Sequence, residues 1–142
     1  MFKGFLHISE KTYICLLFVQ NKSCFFVDPP PPLIPQNQIY EVTERGYSDG
    51  RILTPVAEDE VRELARSLKA KGDVESVAIA FLHSYANGAN EEKAGQIILE
   101  EWPEVAVSLS SKVLPEMREF ERTSTTVINA YVKPLVRRYL AG

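Results

Sequence analysis

The chain has 142 residues, 45% of them hydrophobic, and a formal net charge of −3. That length suits one domain with a packed core. The mild acidity removes the broad positive footprint that nucleic acid or an anionic membrane surface would need, so neither is expected as a partner.

The first 28 residues carry no clear element. Cys15 and Cys24 form neither a CxxC pair nor part of a Cys/His cluster. Their spacing leaves a disulfide open, and the reading taken is two free thiols of a cytoplasmic protein. His7 and His83 have no ligand partners close by in sequence, so no metal site is expected. Tyr13 to Val19 is apolar but too short to span a membrane, and Gln20-Asn21-Lys22-Ser23 breaks it. Glu10 ahead of that run, with no small-x-small cleavage site, argues against a signal peptide.

Composition changes at Asp28. Pro29 to Pro32, with Pro35 after them, favour polyproline II geometry, read as a stiff connector over residues 29–38 rather than an SH3-type ligand. Residues 39–142 then turn regular. Ile39 to Glu44 alternates as a half-buried strand does. Tyr47-Ser48-Asp49-Gly50 signals a turn, and Arg51 to Thr54 returns as the second strand of a hairpin.

From Glu58, Val61, Leu64, Ala65 and Leu68 recur at helical spacing behind an acidic first turn, with Gly72 as the stop. Val74 to Leu82 is the near-continuous apolar run of a strand buried on both faces. Asn87 is the expected N-cap of a second helix burying Ala94, Ile97 and Ile98, ended near Pro103. Val105 to Leu109 reads as a short strand. A last helix is expected from about Ser124 to Tyr139, with Ile128, Tyr131, Val132 and Leu135 on one stripe and a kink or restart at Pro134. The order is a β-hairpin followed by αβαβα: an α/β domain with parallel later strands and the hairpin as an antiparallel addition, making a mixed sheet.

Three groups of residues are candidates for chemistry. His83 follows the buried strand, where a rigid sheet holds side chains in a crevice, and an imidazole there suits proton relay. A histidine that merely fixes the turn is the competing reading. Arg118, Glu119, Glu121 and Arg122 surround Phe120. The guanidinium groups suit a phosphate or carboxylate, or else the set is i,i+3 and i,i+4 ion pairing around a buried Phe120. Ser124, Thr125 and Asn129 offer phosphate or amide contacts, against ordinary capping of a helix start by Thr123-Ser124-Thr125-Thr126. Ser108, Ser110 and Ser111 have no evident activating base. The seven glycines include no adjacent pair, no GxGxxG and no GxxxxGK, so no phosphate-cradling loop is legible and no cofactor site is expected in this stretch.

The segments HSY (His83 to Tyr85) within AIAFLHSYAN, SLSSKVLPEMREFERTSTT (Ser108 to Thr126) and NAYVKPLVRRYL (Asn129 to Leu140) carry a family resemblance. Over about Leu33 to Leu140 the chain resembles the N-terminal domain of the hydantoinase A / 5-oxoprolinase family. The resemblance implies part of an actin/hexokinase-like (ribonuclease H-like) fold. It also implies a parent enzyme that uses ATP and Mg to open cyclic amides such as hydantoin or 5-oxoproline, with acetone carboxylase subunits among its relatives. As partner it implies a hydantoinase B-type subunit or the rest of a hydantoinase A-type chain.

Departures from the family pattern bound that implication. The DxGGTFTD and HGTT segments and the larger downstream domain have no counterpart in these residues. The expectation is therefore a fragment, the second half of the N-terminal domain, inactive by itself. Where relatives carry NPxHE, this chain has Asn87-Gly88-Ala89-Asn90-Glu91, with Asn90 in place of a histidine. Ala57 stands where an acidic cap is usual. The alternatives are a non-catalytic α/β module that docks on a partner subunit, or part of an acetone-carboxylase-type subunit.

Overall fold

The structure is a computed structural model that describes residues 5–7, 34 and 36–141. Cys15, Cys24, the Tyr13 to Val19 run and the proline run at 29–32 lie outside the described residues. In chain order the elements are β1 (Phe5–His7), a 3-10 turn (Gln36–Gln38), β2 (Ile39–Tyr40), β3 (Arg45–Gly46), β4 (Ile52–Thr54), α1 (Glu58–Lys71), β5 (Ser76–Ala80), α2 (Ala89–Glu101), β6 (Ala106–Leu109), α3 (Ser110–Val113) and α4 (Glu119–Ala141).

Four strands form one sheet in the order β2-β1-β5-β6, and every pairing in it is parallel. β1 comes from the stretch that sequence reasoning left unassigned. β3 and β4 pair antiparallel in a sheet of their own, so the hairpin stands beside the parallel sheet rather than extending it.

Of the strand expected over Ile39 to Glu44 only Ile39–Tyr40 pairs, and β3 begins at Arg45, past its expected end. The rest is drawn off the ladder by side chains: the Thr43 N–H and hydroxyl both donate to the Glu60 carboxyl of α1, at 2.8 and 3.1 Å. The turn itself forms where expected. Tyr47 N–H donates to Arg51 O at 2.8 Å, and Gly50 has φ 87°, a conformation that glycine reaches without a Cβ clash.

β5 is buried along its whole length, and its alternate side chains feed two cores. Val77, Ile79 and Phe81 pack under α1 and α2, against Val61, Ala65, Leu68, Ala94, Ile97 and Ile98. Ala78 and Ala80 face Val127 and Ala130 of α4. The result is a three-layer α/β/α arrangement. Alanines on both sides of the second interface let α4 lie close to the sheet. The outer rims of α1 and α2 are linked by Arg62 and Arg66, which converge on Glu101 at 3.3 and 2.9 Å; such exposed pairs add little stability.

The ends of α1 are as expected, and the start of α2 is not. Ala57 caps α1 with no side-chain bond, and Gly72 closes it at φ 70°. α2 starts at Ala89 behind Gly88, one residue later than an Asn87 cap would place it. Asn87 still satisfies a helix-end donor, since its Oδ1 accepts from Ala89 N–H at 3.0 Å.

α4 begins at Glu119, not near Ser124, and continues through Pro134 without interruption. Thr123 to Thr126 are therefore interior residues rather than caps. The Thr126 hydroxyl donates to Arg122 O one turn back, at 2.7 Å. The buried face of α4 is Arg122, Thr123, Thr126, Val127 and Ala130. The stripe Ile128, Tyr131, Val132 and Leu135 faces outward, and Phe120, buried in the ion-pairing reading, is exposed as well. Among the described residues no helix is long and apolar enough to cross a membrane.

Candidate functional site

The carboxyl ends of β5 and β6 and the first turns of α2 and α4 converge on one point, the backbone of Phe81. Glu91 of α2 and Arg122 of α4 hold it from opposite sides. The Phe81 N–H donates to Glu91 Oε1 at 2.8 Å, and Arg122 Nη2 donates to Phe81 O at 2.9 Å. Both side chains are fully buried, Glu91 at 0% and Arg122 at 1% exposure. A charged side chain is taken out of water at that depth only where specific bonds replace its hydration.

Each of the two makes further bonds. Glu91 also accepts from the Ser110 hydroxyl at 2.6 Å and from Ser111 N–H at 2.8 Å, which fixes the start of α3. Ser110 shares a bond with Ser84 at 3.0 Å. Arg122 Nη1 donates to Glu116 O at 2.8 Å, so the loop leading into α4 hangs on the same guanidinium group. Burial lowers the Arg122 pKa, opposed first by Glu119 and then by Glu91 and Tyr85. Arg122 Nε and one Glu119 oxygen are buried without a hydrogen-bond partner.

His83 sits two residues beyond the clamped backbone. Among the described residues it is the only one other than glycine with positive φ, at 56°, and such backbone strain persists where surroundings impose it. Its Nδ1 lies 3.4 Å from the Tyr85 hydroxyl, and the Tyr85 ring lies under the Arg122 guanidinium at 5.5 Å. His83, Tyr85, Glu91 and Arg122 thus form one connected cluster at the end of the central strands.

The other candidates disperse. Arg118 and Glu121 are exposed and pair with each other at 3.6 Å. Ser124 and Thr125 lie further along α4, and Asn129 accepts from the Ser108 hydroxyl at 2.9 Å, beside β6. Ser124, Thr125 and Asn129 therefore do not join the His83 cluster. Lys133 donates to Val107 O at 2.6 Å; burial, then Arg137, lowers its pKa. Ser110 is fully buried and committed to Glu91, so it offers no nucleophile.

Sequence reasoning missed Glu91 and Glu44. An acidic residue in a first helical turn reads as complementing the helix dipole, and nothing in the local pattern marks either as buried. Glu44 is 2% exposed. One of its oxygens accepts from Asn90 Nδ2 at 2.7 Å, and the other has no partner. Asn90 also binds Thr54 O and Val56 N–H, at 3.3 Å each. It acts as a staple between the hairpin and α2.

Desolvation raises the Glu44 pKa above its ordinary 4.5, with Asn90 opposing and Glu91 adding to the rise. A carboxyl whose folded pKa is raised contributes stability that is full below its unfolded pKa and is lost as pH climbs through the folded one. Melting temperature is therefore expected to fall as pH rises from about 4.5 through the shifted value. Glu44→Gln, which cannot ionise, should flatten that part of the curve. An unchanged profile in the variant would show that Glu44 does not titrate this way.

The two helix starts at this crevice carry acidic side chains in their first turns, Glu91 and Glu92 in α2 and Glu119 and Glu121 in α4, which complement the helix dipoles. Among the described residues no cluster of three or more His, Cys, Asp or Glu side chains is placed to hold a metal.

Comparison with known proteins agrees with this architecture. An uncharacterized protein of Methanocaldococcus jannaschii is 50% identical over 115 residues, covering 81% of this chain and 17% of that protein. Caprolactamase subunit alpha of Pseudomonas jessenii is 33% identical over 112 residues, or 79% of this chain and 16% of the subunit. The crystal structure of the ATP-dependent caprolactamase from Pseudomonas jessenii superposes with a TM-score of 0.80 at 29% identity, over 97% of this chain and 20% of that one. The chain thus spans about a sixth of the length of these curated relatives.

The model of the hydantoinase/oxoprolinase N-terminal region matches residues 6–102. That span starts upstream of Leu33, so it takes in most of the stretch that composition left unassigned. With β1 seated inside the sheet and the family match running from it to the end of α2, the chain belongs to the hydantoinase/oxoprolinase N-terminal region family.

Proposed function

We propose that this chain is part of the N-terminal region of an ATP-dependent enzyme acting on cyclic amides, of hydantoinase or 5-oxoprolinase type. In this reading it supplies the rigid strand-end crevice and not the nucleotide site. The observation that carries the reading is the clamped Phe81 backbone with the strained His83 beyond it. Two buried side chains of opposite charge fix that crevice, as a site holding a substrate or a neighbouring domain in register requires. Support for the enzyme class comes from the family match and from relatives named caprolactamase, 5-oxoprolinase and acetone carboxylase.

ATP and Mg belong, in this proposal, to parts of the enzyme beyond these residues. His83 is the candidate to contact substrate; Glu91 and Arg122 are positioning residues. A B-type subunit or further A-type sequence is the proposed partner, since three of the relatives are themselves named as subunits. The test is direct. The purified chain, given ATP, Mg and each of 5-oxoproline, hydantoin and caprolactam, is expected to show neither tight ATP binding by calorimetry nor amide-dependent ADP release. Ring opening that depends on ATP would overturn the proposal.

A further inference from the structure

None of residues 45–55 is buried, whereas Val42, Glu44 and Val56 on either side of them are. The hairpin of β3 and β4 pairs with itself, apart from the parallel sheet. Neither hydrophobic core draws a residue from 45–55. The hairpin closes at its base, where Ala57 N–H donates to Thr43 O at 2.9 Å. Two asparagines at the start of α2 then tie it down. Asn87 Nδ2 donates to Gly50 O near the tip, at 2.9 Å. Asn90 holds the other end through Thr54 O, Val56 N–H and the Glu44 carboxyl.

The surface under the hairpin is the turn that carries His83. Gly46 lies on the Leu82 carbonyl and Gly50 on the Ala86 carbonyl, where a Cβ added to either would stand 3.5 Å from the oxygen. The hairpin therefore touches that turn on both sides of His83. Local opening takes least free energy where buried apolar contacts are few, and a lone two-stranded hairpin is at best marginal in water.

We propose that residues 45–55 are a flap that lifts as one unit off the turn at 82–87, hinged at the buried Val42 and Val56, with Asn90 as its latch. Closed, it walls one side of the His83 turn; open, it admits a ligand there. That the ligand is the substrate rests on the role proposed above for His83.

Glu44 ties the flap to pH, because breaking the Asn90 latch returns its carboxyl to water. In the closed state desolvation is the main force against its charged form. The Asn90 bond opposes that, Glu91 adds to it and Arg45 opposes it. Opening is therefore favoured as pH rises from about 4.5, and levels off once the closed form is ionised too.

Native-state hydrogen exchange on the full chain, followed by NMR at low urea concentrations, tests this. The Tyr47 and Gly50 amides are bonded within the hairpin, and the Val56 amide is bonded to Asn90. All three are expected to share one opening constant, about a hundredfold or more above that of the β5 amides and nearly independent of urea. Asn90→Ala is expected to raise the constant for Tyr47 and Gly50 about tenfold, and Glu44→Gln to remove its rise with pH. If Asn90→Ala does not fold, Asn87→Ala gives the same reading through the lost bond to Gly50. Acylation of His83 by diethyl pyrocarbonate, read by peptide mass spectrometry, is expected to quicken in the same latch variant.

Hairpin amides that exchange with the constant and urea slope of β5 would overturn the flap, since the hairpin would then open only with the whole fold. Three unrelated constants for Tyr47, Gly50 and Val56 would show fraying instead of a unit, and overturn it too. So would an unchanged acylation rate at His83 in a variant whose hairpin exchanges faster. None of these measurements uses ATP or a cyclic amide, so failure of the flap and failure of the enzymatic reading are told apart.

Discussion

Replacing Arg122 with methionine is expected to lower the free energy of unfolding by about 3–5 kcal/mol, the range for breaking a buried charged network from one side. The aliphatic stem is kept, so packing volume changes little. What is lost is the pair of bonds to Phe81 O and Glu116 O. Both carbonyls then lose this donor, and Glu91 and Glu119 lose the cation that offsets them. A total stability of about 5–15 kcal/mol is typical for a domain, so the loss should appear as a large drop in the urea midpoint. Arg122→Lys should recover only part of it, because one ammonium cannot reach both carbonyls in the planar fork geometry. A methionine variant as stable as wild type would mean the guanidinium bonds only offset its desolvation.

Glu91→Ala is expected to cost about 3–4 kcal/mol by the same denaturant titration, because it strips partners from three donors at once. Those donors are Phe81 N–H, Ser110 Oγ–H and Ser111 N–H, and the missing side chain leaves a cavity too. Glu91→Gln should cost less, about 1–3 kcal/mol, since one oxygen survives while an N–H₂ group now faces a donor. Because Glu91 and Arg122 grip the two peptide groups that flank the Phe81 Cα, their losses should not add. A double-mutant cycle is expected to give a coupling of about 1–2 kcal/mol. Strict additivity would mean that the two clamps act independently.

Much of the fold was legible because it rests on periodicity. The unbroken apolar run of β5, the 3.6-residue pattern of α1 and the short β6 follow from side-chain spacing alone, and glycine stops at Gly50 and Gly72 mark their turns. The site was legible only in part. His83 stands out as a polar residue closing an apolar strand. Arg122, in contrast, sits among four charged neighbours, and only the helix register decides that it points inward while Arg118 and Glu121 point out. The same register problem reversed the reading of α4. Its inner face is made of threonines, alanine and valine, less apolar than the isoleucine, tyrosines and leucine it shows to solvent, so hydrophobicity alone selects the wrong side. Glu91 and Glu44 escaped notice because their partners lie on other elements, and contact across elements leaves no trace in local composition.

The seating of β1 also has a kinetic side. In the sheet, Phe5 pairs with Ile39 on one side and Ala78 on the other, so this strand joins partners far along the chain. β5, α2 and β6 are consecutive and form a compact parallel crossover from local contacts. β1 must close two long loops before its ladder bonds form. Loop closure grows only slowly with length, by about 0.6 kcal/mol per doubling, so final stability is barely affected. The cost falls on speed, because non-local strand pairing is what slows folding. Until β1 arrives, the flank of β5 and the edge of β2 are open, and the chain is then most open to pairing with other chains through its exposed strands.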